Sequence, residues 1–400
     1  MTTINDRITR RIRTESARSV VHDQSALDPT TCPANVQIQG RGPVVEHLLD
    51  AIDPVFSGAL PPTVYVWGPK GAGKSAVVSR VVKQLRRAGG HDSEALYTAT
   101  RTQDVALPLI TCVDLRGLSS EWAFYRCLLG SLVDERSVPS NGVSTETLRT
   151  RIRDHLERSP PTVVVTDHVG DSLAPETVDV ESWLATAAPE AVWIGVGRRV
   201  PEALDVVFDR NIEVPAYRPH ALVDVLTSRV DAGLSSGSIT HEQLDAVAAW
   251  ADGDAHDALT AVFEAAMVAH EAGQTVISSD HLDVAIDSIP DPCTSLACVF
   301  SLSDERQTLL YGLTAVPTDG NQSVTSVAET LARHPSVDLR ASTIERILYE
   351  LADCGILRRV DSDPGETSGR GRPPSRLETR FPLATFARLY EGRSESSTHG

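Results

Sequence analysis

Gly68-Pro69-Lys70-Gly71-Ala72-Gly73-Lys74-Ser75 fits the pattern G-x-x-x-x-G-K-[ST] at every position. The flanks agree with it. Thr63-Val64-Tyr65-Val66-Trp67 reads as a buried strand, and 74–87 reads as a helix with Val77, Val78, Val81, Val82 and Leu85 on one face. Strand, glycine loop and helix in that order make a phosphate cradle. Glycines let backbone N–H groups turn inward, and the helix N-terminus favours an anion. Lys74 is expected to reach the β- and γ-phosphates of a nucleotide, and the Ser75 hydroxyl to ligate Mg²⁺. Gly68 through Ser75, with Ala76 behind them, are therefore the expected contacts of ATP or ADP.

Outward from the loop, strands are expected over 63–67, 108–113, 162–166, 192–196 and 211–214. Helices are expected over 74–87, 121–133, 144–158, 181–187 and 201–207. Alternation of this kind argues an α/β domain with a parallel sheet covered on both faces. Nucleotide should lie at the C-terminal strand ends. The third strand runs Val163-Val164-Val165-Thr166-Asp167-His168. Asp167 is placed to hold the Mg²⁺, directly or through water. Many ATPases put a second carboxylate after that aspartate to handle the attacking water. Here His168 stands in that place.

Composition narrows the setting. Thirty-seven basic residues face fifty-four acids, a formal charge of -17, and the only lysines are Lys70, Lys74 and Lys83. An acidic, lysine-poor chain suits a salt-saturated cytoplasm, so a halophilic source is expected. No apolar run approaches the ~20 residues of a membrane span, so no membrane partner is expected. The six cysteines form no Cys-x-x-Cys pair, and no metal site is read from them. Residues 1–26 read as a flexible arm with Arg7, Arg10, Arg11, Arg13 and Arg18.

Several further segments resemble one family, the archaeal origin-recognition initiators of the AAA+ ATPases, relatives of the eukaryotic origin recognition complex and of the cell-division-cycle helicase loader. Gly40-Arg41 with the helix 47–52 is similar to the family's segment before the nucleotide strand, and 54–62 to its entry into the loop. Val214-Pro215-Ala216-Tyr217, then Leu222, Val225, Leu226 and Arg229, resemble a Pro-Tyr motif, helix and closing arginine. The resemblance implies nucleotide contacts for Tyr217 and Arg229. Gly253-Asp254-Ala255-His256 resembles the opening of the second-sensor helix, and helices over 219–231, 240–251, 255–273 and 279–288 then form an all-α lid.

Three departures from the family touch hydrolysis. The Asp-Glu pair is Asp167-His168, the first-sensor position is Arg198 after Gly197, and the second-sensor arginine is His256. Hydrolysis needs a group to orient water and cations to meet γ-phosphate charge. Weak or absent turnover is expected, with nucleotide binding kept by the intact loop.

After a linker at 291–298, the chain reads as three helices, Ser303–Ala315, Ser323–Arg333 and Ser342–Cys354, and a two-stranded hairpin over 356–360 and 377–381. Ser342 with Glu345 reads as a capping box, and Gly355 as a stop. Three helices and a hairpin make the winged-helix pattern, which the family also carries at this place. The expected architecture is thus an α/β AAA+ P-loop domain (27–215), a helical lid (216–290), a C-terminal winged-helix domain (299–392) and a disordered tail (393–400). Arg340, Thr343 and Arg346 near the recognition-helix start are expected to meet DNA. Arg370 and Arg372 in Gly369-Arg370-Gly371-Arg372-Pro373-Pro374 resemble an AT-hook for a narrow A·T-rich minor groove. From Gly355 to Gly400 eight arginines face six acids, so positive charge is local to this end. The function expected is a replication initiator that binds ATP or ADP and double-stranded, AT-rich origin DNA, with a replicative helicase or other initiator subunits as partners. A nucleotide-gated transcription or plasmid-maintenance regulator of the same descent is the alternative.

Overall fold

The computed structural model describes residues 19–33, 38–88, 107–139, 142–316, 322–361 and 375–398. The expected arginine arm over 1–18, and Arg370 and Arg372 with their loop, lie outside the described residues. The chain divides into two compact units. Ile38–Tyr217 forms one; Met1–Gln37 joins Arg218–Gly400 in the other.

The first described element, the single-turn helix α1 (Gln24–Leu27), belongs to the second unit. Asp23 caps it by accepting from the Ser25 and Ala26 N–H groups.

In the α/β unit, α2 (Gly42–Ala51) precedes β1 (Val64–Trp67), the glycine loop and α3 (Lys74–Ala88). Then follow β2 (Leu109–Asp114), α4 (Glu121–Leu132), α5 (Thr145–Leu156), β3 (Thr162–Val169), α6 (Thr177–Ala187), β4 (Val192–Gly197) and β5 (Arg210–Glu213). The five strands form one sheet in the order β2-β3-β4-β1-β5, and all pairs are parallel. Alternation along the strands feeds two cores. Val64, Val66, Val163 and Val165 pack with Val77, Val78, Val81 and Leu85 of α3 on one face. Tyr65 and Val164 pack with Phe124, Leu128, Leu148 and Leu184 on the other. A strand buried on both sides is a nearly continuous β-branched run, and this is why β3 is legible in sequence.

One expected helix is absent. Only Pro201–Ala203 forms a turn of 3-10 helix. After it Val206 and Phe208 are buried at alternate positions while Val207 is 93% exposed, a two-residue period that suits extended chain.

The second unit continues with α7 (Pro219–Gly233), α8 (His241–Trp250), α9 (Ala255–Glu271) and α10 (Ser279–Asp287), all at their expected places. Then come α11 (Leu296–Val299), α12 (Asp304–Gly312), α13 (Val324–Leu331), α14 (Ala341–Asp353), the antiparallel strands β6 (Leu357–Asp361) and β7 (Ser375–Thr379), and α15 (Leu383–Thr398). The expected capping box does not form. The α14 N-cap is Arg340, and Glu345 accepts a hydrogen bond from the Thr325 hydroxyl instead, 3.3 Å away. Gly355 does end the helix, in the left-handed region at φ 79°.

The expected tail is also corrected. Helix α15 continues to Thr398, buries Phe386 and Leu389, and is held on α9 by polar contacts. Thr385 donates to buried Glu264 at 3.0 Å, and Arg388 bridges Glu264 and Glu271. Arg393 reaches back to Asp28 and Thr30 and lies over the Phe300 ring. Residues 19–26 likewise pack as part of this unit rather than as an arm. Val21 pairs with Leu234, and the Gly233 carbonyl accepts from the His22 and Asp23 N–H groups.

Candidate nucleotide site

The loop between β1 and α3 is built on close approaches that only glycine allows. A Cβ on Gly68 would lie 2.1 Å from the Val214 carbonyl oxygen, and one on Gly73 would lie 2.7 Å from the Tyr217 hydroxyl. Both glycines have positive φ, as does Gly71. Lys74 opens α3 and is 8% exposed. Its ammonium donates to the carbonyls of Gly68 (2.9 Å) and Pro69 (2.7 Å), which holds it over the loop. Ser75 follows in the first helical turn. This cradle fits a phosphate chain, with Lys74 as the cation and Ser75 able to hold a metal ion beside it.

Tyr217, expected at the nucleotide, does sit against this loop, and Arg41 stacks on its ring at 3.6 Å. The first-helix segment and the strand-end motif thus meet beside the phosphate loop.

At the end of β3 the backbone breaks step. The register with β4 shifts between Asp167 and Val169, and His168 has φ 69°. A left-handed non-glycine residue stores ~1–3 kcal/mol of strain, and a bulge at this place re-aims the side chain. The His168 N–H donates to Asp167 Oδ1 at 2.9 Å, which orients that carboxylate. The His168 ring turns to Asp171, with Nδ1 2.8 Å from Oδ2, while Nε2 lies 3.8 Å from Asp167 Oδ2. Arg198 stands at the end of β4, with Nε 3.8 Å from Asp171 Oδ1. Asp167, His168 and Arg198 are therefore gathered at adjacent strand ends, and Asp167 could hold a metal ion there.

Asp171 was not singled out in the sequence, yet it organises this corner. Burial raises its pKa, but the hydrogen bond with His168 and the charges of Arg198, His168 and Lys74 outweigh burial and hold it below the ordinary carboxylate value. The available signal was Gly170, a turn residue that brings the next aspartate back toward the strand end.

Two residues assigned by resemblance have other work in this structure. Arg229 is 4% exposed, and its guanidinium donates to three main-chain carbonyls: Ala26 (2.5 Å), Thr31 (2.8 Å) and Asp28 (2.5 Å). It fastens the first residues of its own unit rather than presenting a charge outward. His256 is likewise 8% exposed. Its Nε2 accepts the Leu296 N–H at 3.0 Å, so Nδ1 carries the proton that faces Asp257, also 3.0 Å away. His256 ties the start of α9 to the linker.

In the C-terminal helices Arg340 and Arg346 are exposed and Thr343 is half-buried. Arg346 pairs with Glu350, Arg358 with Glu378, and Arg359 with Asp353.

A parallel α/β domain with a phosphate loop at its strand ends, followed by a helical bundle, defines an AAA+ nucleotide-binding protein. The family model described as AAA ATPase domain matches residues 37–194, and that of the Cdc6 AAA+ ATPase-type lid domain matches 223–287. The chain is thus similar to AAA ATPases over its first unit and to Cdc6-type proteins over the helices that follow, and an AAA ATPase domain implies nucleotide binding. Among curated relatives, ORC1-type DNA replication protein 14 of Haloarcula marismortui is 25% identical over 338 residues, covering 78% of this chain and 76% of that one. ORC1-type DNA replication protein 5 of Halobacterium salinarum is 24% identical over 325 residues, covering 74% and 73%. The fold is similar to that of the Aeropyrum pernix ORC1 protein, solved in complex with DNA: TM-score 0.59 and 16% identity, over 96% of this chain and 100% of that one. It is also similar to Cdc6p of Pyrobaculum aerophilum, at TM-score 0.52 and 17% identity over 94% and 100%.

Proposed function

We propose that this chain is an origin-recognition-type replication initiator that binds ATP or ADP with Mg²⁺ and hydrolyses it slowly or not at all. One observation carries the reading: an intact phosphate cradle stands beside a strand end where His168 occupies the place of the water-handling carboxylate, and Asp171 holds that ring. Bound Mg²⁺ supplies charge to the phosphates; Ser75 and Asp167 are the side chains that would hold it. With one ring nitrogen engaged by Asp171, His168 lacks the reach of a glutamate for a water in line with the γ-phosphate. Losing such an element costs ~10²-fold or more in rate. The protein then works as a switch set by which nucleotide it holds.

For the other end of the molecule we read α12 to β7 as a winged helix, with α14 as recognition helix and β6–β7 as wing. Its partner is double-stranded, AT-rich origin DNA, met by Arg340, Thr343 and Arg346 and by Arg370 and Arg372, which fall between β6 and β7 in the sequence. Other initiator subunits and the replicative helicase are the protein partners of this reading. The acidic composition suits the cytoplasm of a halophile, and among the described residues no helix is long and apolar enough to cross a membrane.

Single-turnover hydrolysis in molar KCl tests the nucleotide half. Near-background ADP release is expected; rapid release that His168→Ala abolishes would overturn it. Chromatin immunoprecipitation tests the other half, with enrichment at replication origins expected and promoter-scattered peaks counting against it.

A further inference from the structure

Arg41 is the N-cap residue of α2, and its main-chain carbonyl accepts the Val45 N–H at 2.9 Å. Its side chain is 4% exposed, and its Nε and Nη2 have no hydrogen-bond partner among the described residues. No carboxylate pairs with it among those residues either. Its guanidinium lies on the face of Tyr217, with Cζ 3.6 Å from the ring centroid. A guanidinium cannot shed its charge by deprotonation. Burying it without partners is costly, and stacking on a tyrosine returns only part of that cost. Such a group in a native fold requires an explanation.

Its position supplies one. The Tyr217 hydroxyl lies against Gly73 of the phosphate loop and its ring face against the guanidinium, so one phenol touches both loop and cation. The unpartnered edge offers two parallel N–H groups and no acceptor, so it recognises a group with two acceptors. A full positive charge favours an anion among these, and the fork matches two oxygens of a phosphate. We propose that Arg41 is a second phosphate-binding cation of the nucleotide site, beside Lys74, and that its Nε–Nη2 edge takes two oxygens of the nucleotide's phosphate chain. This rests on the nucleotide reading above. It adds a residue that neither the loop motif nor the family comparison assigns.

The test is calorimetric titration of the full chain with ADP and, separately, with adenosine, for wild type, Arg41→Met, Arg41→Lys and Lys74→Ala. Wild type is expected to bind ADP, and Lys74→Ala to lose most of that affinity. Arg41→Met should weaken ADP by about 10- to 100-fold, the worth of one charge-assisted pair, and leave adenosine binding unchanged. Arg41→Lys keeps the charge without the fork and should fall between. The melting temperature of nucleotide-free Arg41→Met should equal or exceed that of wild type, because an unpaired buried charge has been removed.

If wild type binds no ADP, the nucleotide reading falls and Arg41 with it. If wild type binds and Arg41→Met binds equally well, only the Arg41 proposal falls. Equal losses for ADP and adenosine would overturn it in favour of a contact to the base or ribose. A lower melting temperature with unchanged ADP affinity would make the residue structural. Should Arg41→Met fail to fold, Arg41→Lys decides, and undiminished ADP affinity in it would overturn the bidentate assignment.

Discussion

At the scale of single residues, the site turns on one histidine in an unusual backbone state. A glutamate after Asp167 in regular strand geometry would project from the strand end. His168 at φ 69° instead turns its ring to Asp171. Asp171→Asn is therefore expected to destabilise the α/β unit by about 1.5–3 kcal/mol at neutral pH. Because the folded pKa of Asp171 is depressed, its stabilisation is present above the unfolded value near ~3.9 and is lost as pH falls through the folded one. Urea midpoints of wild type and variant should converge below that range; a constant gap would contradict the assignment. Gly73→Ala should fold poorly or lose nucleotide, since the new methyl meets the Tyr217 hydroxyl and φ is +79°. Thermal melts with and without ADP separate those two outcomes. The loop residues and Asp167 were readable from the sequence because a motif fixes their spacing. Asp171 was not, because only the bulge brings it to the strand end.

At the scale of elements, the sheet was legible and the helix ends less so. Runs such as Val163-Val164-Val165 can only be strands buried on both faces. The segment 201–207 opens with Pro201 in a good helix-start position, but its buried residues then alternate. Helix α15 escaped notice because its buried Phe386 and Leu389 lie in its first half, while Gly392, Ser394, Ser396 and Ser397 resemble a tail. Arg229 and His256 were assigned by resemblance, and nothing local reveals that Arg229 meets three main-chain carbonyls or that His256 meets the Leu296 N–H and Asp257. Arg229→Met should leave three carbonyls without a donor and cost about 2–4 kcal/mol. Faster hydrogen exchange in residues 19–33, with the α/β unit unaffected, is the expected signature. Arg346 and Glu350 form an exposed pair, so Arg346→Ala should change stability by less than about 1 kcal/mol. Its effect should instead appear as weaker binding of duplex DNA in a gel-shift titration, and equal binding would remove Arg346 from the interface.

At the scale of the whole molecule, charge and topology matter most. A net charge of -17 repels itself, and salt screens that repulsion. The melting temperature should rise by several degrees between 0.1 and 2 M KCl, and a flat or falling curve would remove charge from the account. The domain order read from the sequence, nucleotide unit first and lid second, holds for most of the chain. It fails at the start, because residues 19–33 are held by Arg229, Arg393 and the Leu234 bridge.

That fastening makes the α/β unit an insertion, spliced into the helical unit between residues 37 and 218. Two covalent strands link the bodies instead of one. Severing the chain anywhere between residues 33 and 38 would leave the two bodies tethered through residue 217 alone, with residues 19–33 still gripped by their own unit. A label on residue 19 would accordingly travel with the lid and the C-terminal helices.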